Sequence, residues 1–253
     1  QTSPEFHMKR LLAAGSGNIY QINQAFRDDE QGRYHNPEFT LLEWYRLGFN
    51  YQDLMQEIDA LLQQTADLPA AEFISYHDLF QKYCRLDPHH ADLTQLQQTC
   101  RQFNIDLYQN ETLTLDHYLD LLLTHHIEPQ LKQSPVVFIY DYPKSQAALA
   151  KIITKNHTEV AARFEVYVYG IELANGFDEL TDAHEQRQRF IAQNQQRRKL
   201  NLPEIPLDEY FLDALTHGLP TCSGVALGID RLLMAMTRAA DLQSVMAFTI
   251  DNA

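Results

Sequence analysis

The chain has little glycine, few cysteines, no long apolar run and a shortage of positive charge, and each shortage limits what it can be. Its 253 residues include only 9 glycines and are 45% hydrophobic, which favours one globular domain spanning residues 1–253 and argues against disorder. No stretch approaches the roughly 20 apolar residues that span a bilayer, so no membrane helix is predicted. The first ten residues, QTSPEFHMKR, lack the apolar core of a secretory signal, and we therefore expect a cytoplasmic protein.

The three cysteines are an odd number, lie far apart in the sequence and form no CxxC motif. Cys84, Cys100 and Cys222 are therefore expected to be reduced thiols rather than a disulfide framework or a zinc site.

Positive charge is scarce, with 20 Lys and Arg residues against 34 Asp and Glu residues and a formal net charge of −14. Such a balance is a poor electrostatic footprint for a protein that grips a polyanion such as tRNA by neutralising its phosphates. The one basic run, at residues 197–199, ends a predicted polar helix that begins near Ala183, where cations suit the negative end of the helix dipole. We therefore expect no tRNA binding.

Residues 19–26 and 39–45 are predicted to form two strands joined by a long polar loop, which together make an antiparallel hairpin. Period-2 alternation places Phe39, Leu41, Glu43 and Tyr45 on one face of the second strand. The loop is rich in polar and charged side chains, namely Arg27, Asp28, Asp29, Glu30, Arg33, His35, Asn36 and Glu38.

This hairpin has the residue types that a nucleotide site requires. A nucleotide needs cations for its phosphates, a flat apolar side chain for its base and polar groups for orientation. Arg27, Arg33 and His35 are candidates for the first role, Phe39 for the second, and Asp29 and Asn36 for the third. A solvated hairpin with a core phenylalanine is the alternative.

Strands separated by amphipathic helices predict an α+β fold for the rest of the chain. Two apolar helix faces are predicted, one with Leu54, Ile58, Leu61 and Leu62, and one with Leu115, Tyr118, Leu119 and Leu122. Residues 67–75 are expected to form a loop and residues 76–134 a helical insertion. Strands are expected at residues 136–140, 163–169 and 224–228, with a turn at Gly170 and Arg231 in the first turn of a helix.

Residues 26–46 resemble the second signature motif of the class II aminoacyl-tRNA synthetases, and most of all that of the lysine enzymes. The matching residues are Phe26-Arg27, His35-Asn36-Pro37-Glu38-Phe39, Glu43 and Tyr45. Three further segments resemble family motifs in the family order: residues 3–11 (SPEFHMKRL), residues 163–180 (RFEVYVYGIELANGFDEL) and residues 224–231 (GVALGIDR).

The resemblance implies an antiparallel sheet flanked by helices, with a helical insertion, and a site for ATP. It implies ATP-binding roles for Arg27, Asp28, Asp29, His35, Asn36, Phe39, Glu172, Leu173, Gly228 and Arg231. Activation of a carboxylate is an in-line attack on the α-phosphate, so fixed positive charge there supports catalysis, and Arg27 and Arg231 are the predicted catalytic residues. A surface ion pair is the alternative for Arg231.

The same resemblance implies where the amino acid and a metal bind. Glu43, Tyr45 and Glu179 are expected to surround a substrate ammonium, because a buried cation needs carboxylates and hydrogen-bond acceptors. The implied amino-acid site is completed by Ser3, Pro4, Glu5, Asn175 and Ala226. Glu165 and Glu172 are expected to share Mg²⁺ with the phosphates of ATP; without the resemblance, the two would be read as solvated carboxylates.

Several departures indicate which relatives are closest. Ala226 replaces the middle glycine of the third motif of lysyl-tRNA synthetases, and an added methyl in a packed pocket costs about 1–3 kcal/mol, which disfavours α-lysine. This feature and residues 42–46 resemble freestanding paralogues of lysyl-tRNA synthetase, which attach (R)-β-lysine to a lysine of translation elongation factor P. Asp29 stands where both groups usually have Glu, near the adenine. The first class II motif and the anticodon-binding barrel are not visible in the chain, and a homodimer is expected.

The expected reaction has two steps. ATP and (R)-β-lysine give the acyl-adenylate, and a lysine ε-amine of elongation factor P attacks it to form an amide. The alternatives are the catalytic core of a lysyl-tRNA synthetase, acting on lysine, and a non-catalytic regulatory paralogue. The joint retention of Arg27, Glu165, Glu172 and Arg231 favours an enzyme.

Overall fold

A central sheet of eight strands organises the computed structural model, which describes residues 1–28, 30–106 and 113–252. The strands are β1 (Ile19–Phe26), β2 (Glu38–Leu47), β3 (Glu72–Ser75), β4 (Val136–Pro143), β5 (Ile152–Lys155), β6 (Thr158–Val168), β7 (Ile171–Asp178) and β8 (Cys222–Gly228). Their order is β1-β2-β8-β7-β6-β4-β3, and β5 pairs with β6. All pairs are antiparallel except β3 with β4, so the expected α+β fold is confirmed with one parallel pair added.

Helices surround this sheet. The α-helices are α1 (Glu5–Ala13), α2 (Tyr51–Ala66), α3 (Tyr76–Cys84), α4 (Leu93–Gln102), α5 (Leu115–Leu122), α6 (Glu128–Leu131), α7 (Ala183–Lys199), α8 (Glu209–Gly218) and α9 (Ile229–Thr237). A π-helical turn at Leu123–Ile127 joins α5 to α6, and 3₁₀ turns occur at Lys144–Gln146 and Leu242–Ser244. Over the ranges that the structure describes, none of the helices has the length and apolar character needed to cross a membrane.

Helix α2 shows how local sequence sets an element. The Asn50 side chain accepts from the backbone N–H groups of Gln52 and Asp53, and Asp53 completes a capping box, so the helix begins at a defined residue. Its predicted apolar face is confirmed, with Leu54, Ile58 and Leu62 fully buried and Leu61 half-buried. On α5 the corresponding face is buried at Tyr118, Leu119 and Leu122, but Leu115 at the helix start is 44% exposed.

The predicted helical insertion at residues 76–134 is confirmed over its described part by α3 to α6. The expectation of a loop over residues 67–75 is wrong at its end, where β3 pairs with β4. Phe73 stacks on Phe138 with ring centroids 4.8 Å apart, so burial against the neighbouring strand outweighs the loop-forming residues before it. The three cysteines are free and buried, as their spacing predicts.

Strand register brings distant residues into rows across the sheet. Glu43 on β2 lies opposite Ala226 on β8, Ala226 opposite Asn175 on β7, and Asn175 opposite Glu165 on β6. The next row on the same face contains Tyr45, Gly224, Phe177 and Arg163. Because side chains two residues apart share a face, three of the four motifs contribute side chains to one surface of the sheet.

Candidate active site

The hairpin of β1 and β2 is present as predicted, with pairing that runs from Ile19 opposite Tyr45 to Phe26 opposite Glu38. The predicted alternation is also confirmed. Phe39 and Leu41 line a cleft, and the hydroxyl of Tyr45 donates to Glu43 Oε1 at 2.6 Å on the same face.

The cleft lies between the hairpin loop, β7, β8 and the start of α9. Its walls are formed by Arg27, Glu30, Tyr34, His35, Asn36, Phe39, Leu41, Glu172, Leu173, Ala174, Asn175, Ala226, Gly228, Asp230, Arg231 and Leu242. Eight of the ten residues predicted to bind ATP are among them. Asp28 does not line the cleft, and Asp29 lies outside the described residues.

Two guanidinium groups are positioned in this cleft. Arg27 lies over the Phe39 ring, 5.0 Å from its centroid, and is 3.4 Å from Glu30. Arg231, in the first turn of α9, donates from Nη1 to the carbonyl oxygen of Glu172 at 2.7 Å and from Nε to that of Tyr34 at 3.2 Å. These bonds hold Arg231 in one orientation at the end of β8.

The other two predicted cations of the loop have different roles. Arg33 does not line the cleft, and its Nε donates to the carbonyl oxygen of Ala240 at 2.7 Å. His35 lines the cleft, but burial and the nearby charge of Arg231 lower the pKa of its imidazole. These effects favour the neutral imidazole, so a role of His35 as a hydrogen-bonding group of the cleft stays a prediction.

A C-terminal segment holds the loop in place, which sequence reasoning missed. The backbone N–H of Leu242 donates to the carbonyl oxygen of Arg33 at 3.1 Å. Asn36 accepts from the N–H of Ile250 at 3.0 Å and donates to the carbonyl oxygen of Glu38 at 2.7 Å. The Asn36 side chain is thus used to shape the loop as well as to line the cleft.

The two carboxylates predicted to bind magnesium differ in their surroundings. Glu172 lines the cleft, and burial, followed by the charge of Glu165, raises its pKa to about 7. Glu165 Oε2 accepts from the hydroxyls of Tyr142 at 2.7 Å and Tyr167 at 2.8 Å, while Arg163 donates to Oε1. Alternation along β6 places Arg163, Glu165 and Tyr167 on one face, where these hydrogen bonds join them.

Beyond Ala226 the same sheet face continues into a buried acidic pocket. Ser3 donates to Glu43 Oε2 at 3.1 Å, and burial raises the pKa of Glu43 to about 7. Burial also raises the pKa of Glu179 to about 8, although the charge of a neighbouring lysine, Lys9, opposes this. Packing around these carboxylates is close at Gly224, where a Cβ would overlap the Tyr45 ring and lie 2.6 Å from Glu179 Oε1.

Sequence reasoning also missed the role of Lys9, which lies inside this pocket. Its ammonium is 2.6 Å from Glu5 and 2.5 Å from Glu179, and the side chain is 2% exposed. The i, i+4 spacing of Glu5 and Lys9 on α1 was the available signal. The remaining predicted residues surround the site: Pro4 is buried at the start of α1, and Asn175 lines the cleft and accepts from Arg163.

The two ends of the site carry opposite charges. One end carries two fixed guanidinium groups beside an aromatic ring, which suits the phosphates and base of a nucleotide. The other end carries three carboxylates, which suits a cationic group. Ala226 and Asn175 lie between the two ends.

Comparison with known families agrees with this geometry. A family model described as tRNA synthetases class II (D, K and N) matches residues 1–252, and the chain belongs to this family. The expected class II synthetase fold is thereby confirmed.

Individual relatives are more specific. A protein named elongation factor P–(R)-β-lysine ligase from Hamiltonella defensa is 53% identical over 252 residues, which is 100% of this chain and 77% of that protein. Proteins of the same name from Salmonella arizonae and Salmonella dublin are 51% and 52% identical over the same extents.

Proposed function

We propose that the protein is an ATP-dependent ligase that activates (R)-β-lysine as an adenylate and transfers it to a lysine ε-amine of elongation factor P. The observation that carries this proposal is the continuous sheet face joining the cleft with Arg27 and Arg231 to the acidic pocket with Glu43 and Glu179. Three relatives of that name, at 51–53% identity across the whole chain, support it.

In the first step, the substrate carboxylate attacks the α-phosphate of ATP and pyrophosphate leaves. Arg27 and Arg231 hold the phosphates by charge, while Phe39 offers a flat surface to the adenine. The carboxylate is itself the nucleophile, so the protein contributes position and electrostatic stabilisation rather than a nucleophile of its own.

Magnesium fits this site as a companion of ATP, for which it would supply charge neutralisation at the phosphates. Glu172 and Glu165 are the residues that would hold it. Glu172 faces the cleft, and Glu165 Oε1 accepts one hydrogen bond within the described part of the chain, from Arg163, which leaves a lone pair for a metal ion. Among the described residues no three His, Cys, Asp or Glu side chains form a metal cluster, which agrees with an ion bound mainly by phosphates and water.

In the second step, the acceptor amine attacks the carbonyl carbon of the adenylate. A C–N bond forms, the C–O bond to AMP breaks, AMP leaves with the bonding pair, and the amine loses a proton. The net charge of −14 favours a protein acceptor over tRNA, because tRNA recognition relies on cations that neutralise phosphates.

One assay set tests this function. We expect amino-acid-dependent ATP–pyrophosphate exchange with (R)-β-lysine above that with α-lysine, and transfer of radiolabelled β-lysine to elongation factor P with none to tRNA. An elongation factor P whose acceptor lysine is replaced by Arg is the matched control. Efficient charging of tRNA would instead assign the chain to the lysyl-tRNA synthetases.

We also propose that residues 1–253 form one catalytic domain that acts in the cytoplasm as a homodimer. Strand β1 lies at the sheet edge and exposes Tyr20, Ile22 and Phe26 by 74%, 60% and 50%. Several exposed apolar side chains on one face of an edge strand suit an interaction surface. Light scattering should give twice the chain mass, and Ile22→Lys should give the monomer, whereas a wild-type monomer at micromolar concentration would contradict the dimer.

A further inference from the structure

Helix α1 places a lysine where the proposed function requires a cation-binding pocket. The Lys9 ammonium lies between the carboxylates of Glu5 and Glu179, at 2.6 Å and 2.5 Å. It also lies 5.2 Å from the ring centroid of Phe177 and 5.6 Å from that of Phe211. Lys9 is thus enclosed by acidic and aromatic groups and is almost completely buried.

The environment keeps this lysine charged. Burial by itself would lower the pKa of Lys9, but the negative charges of Glu179 and Glu5 outweigh burial and raise the pKa above its ordinary value. A buried charge without such partners would cost several kcal/mol. The cation is therefore a permanent part of the pocket.

The contact with Lys9 involves one of the two carboxylate oxygens of Glu179. Its Oε2 lies 2.5 Å from the Lys9 ammonium, and among the described residues neither of the two buried oxygens accepts a hydrogen bond of good geometry. Oε1 lies against Gly224 and the Tyr45 ring, and the packing there is so close that an added Cβ would come within 2.6 Å of it. Buried acceptors without donors are rare in native structures, and Oε1, which has no cation beside it in the described part of the chain, is the Glu179 oxygen left for a ligand donor.

The charge of the pocket can be counted from its residues. Glu5, Glu43 and Glu179 contribute three negative charges when ionised, and Lys9 contributes one positive charge, which leaves two negative charges. A diamino acid carries two ammonium groups besides the carboxylate that reacts. The count therefore matches a substrate with two ammoniums rather than one.

We propose that Lys9 is a positioning residue that fixes Glu5 and Glu179 at one spacing and sets the pocket charge for a diamino carboxylic acid, leaving Glu179 Oε1 for one substrate ammonium. This inference rests on the proposed function, because it assigns the acidic pocket to the amino acid that is activated. The proposed function assigns specificity to residues that bind the substrate, whereas here the specificity also depends on Lys9, which does not bind it.

Lys9 should also affect how the activity depends on pH. The titratable groups that face Lys9 are Glu5 on α1, Glu43 and Tyr45 on β2, Glu179 after β7 and Cys222 on β8. Glu179 binds an ammonium only when ionised, and its pKa of about 8 already includes the lowering effect of Lys9. Loss of Lys9 raises that pKa further, so activity should require a higher pH.

The test compares Lys9→Met, Lys9→Gln and Lys9→Arg with wild type in pyrophosphate exchange from acid to alkaline pH. In the two neutral variants we expect the acid limb of kcat/KM for β-lysine to move upward by about one pH unit, with about a 10-fold loss at pH 7. The KM for ATP should not change, and Lys9→Arg should keep the acid limb of wild type. Lys144→Met, which breaks an exposed pair with Glu159, is the matched control and should match wild type.

The outcomes separate the two proposals. Absence of exchange by wild type with every lysine isomer would reject the proposed function. Normal exchange by wild type, with an unchanged acid limb in folded Lys9→Met or Lys9→Gln, would reject the role of Lys9. Failure of both neutral variants to fold, judged by circular dichroism, would make Lys9 a structural residue and would also reject it.

Discussion

Ala226 lies directly opposite Glu43 where β8 pairs with β2, so the two side chains are neighbours on one face of the sheet, and Glu43 is expected to bind a substrate ammonium. Ala226 also lines the cleft and pairs with Asn175 on its other side. A single methyl group at this junction therefore stands between the nucleotide end and the amino-acid end of the site.

Removal of that methyl group should change which lysine isomer is activated. In Ala226→Gly the pocket opens near the α-carbon, which relieves a clash that a β-amino acid avoids because its amine is one carbon further from the carboxylate. We expect the ratio of kcat/KM for α-lysine to that for β-lysine to rise about 10-fold or more, from roughly 1–3 kcal/mol for one methyl in a packed pocket.

The control for this change is Ala162→Gly on β6, where the alanine is fully buried in the core. It should lower the free energy of unfolding without altering the isomer ratio. An unchanged ratio in well-folded Ala226→Gly would show that selectivity for the β-isomer is determined elsewhere.

Loss of either cleft arginine should abolish adenylate formation. Arg27→Ala removes a side chain that is 42% exposed, so exchange should be lost while thermal unfolding stays near wild type. Arg231→Ala also removes two hydrogen bonds to backbone carbonyls, so the free energy of unfolding should fall by about 1.5–3 kcal/mol. Arg101→Ala, at an exposed site on α4, is the control, and wild-type exchange in both cleft variants would refute the catalytic assignment.

Two glycine substitutions on β8 should differ in their effect on stability, because the two glycines are packed differently. In Gly224→Ala the new methyl would overlap the Tyr45 ring, so we expect a loss of about 1–3 kcal/mol in stability and a higher KM for the amino acid. In Gly228→Ala the nearest atom is 3.7 Å away, so chemical denaturation should detect little change. Equal stability of the two variants would contradict the tight packing at Gly224.

Much of the fold and the cleft follows from local sequence. Strand alternation alone placed Phe39, Glu43 and Tyr45 on one face, and the apolar spacing of α2 identified the buried Leu54 and Ile58. These features depend on the backbone periods of strands and helices, which a single stretch of sequence displays.

What the sequence did not reveal depends on long-range contacts. Lys9 meets Glu179 only because α1 packs near the end of β7, and Asn36 meets Ile250 across 214 positions of the chain. The parallel pairing of β3 likewise depends on a partner strand more than sixty residues away. Local periodicity contains no information about such partners.

The hydrogen bonds from Leu242 and Ile250 to the hairpin loop have a consequence for chains whose synthesis stops early. Every strand of the sheet is complete once residue 228 has been made, yet the loop between β1 and β2 still lacks the segment that fixes it. The strand pairing of the sheet therefore does not require residues 238–252, whereas the final shape of the nucleotide loop does. We therefore expect a polypeptide that stopped after α9 to keep the strand pairing of the sheet but to bind ATP weakly, so that interrupted synthesis gives an inactive product.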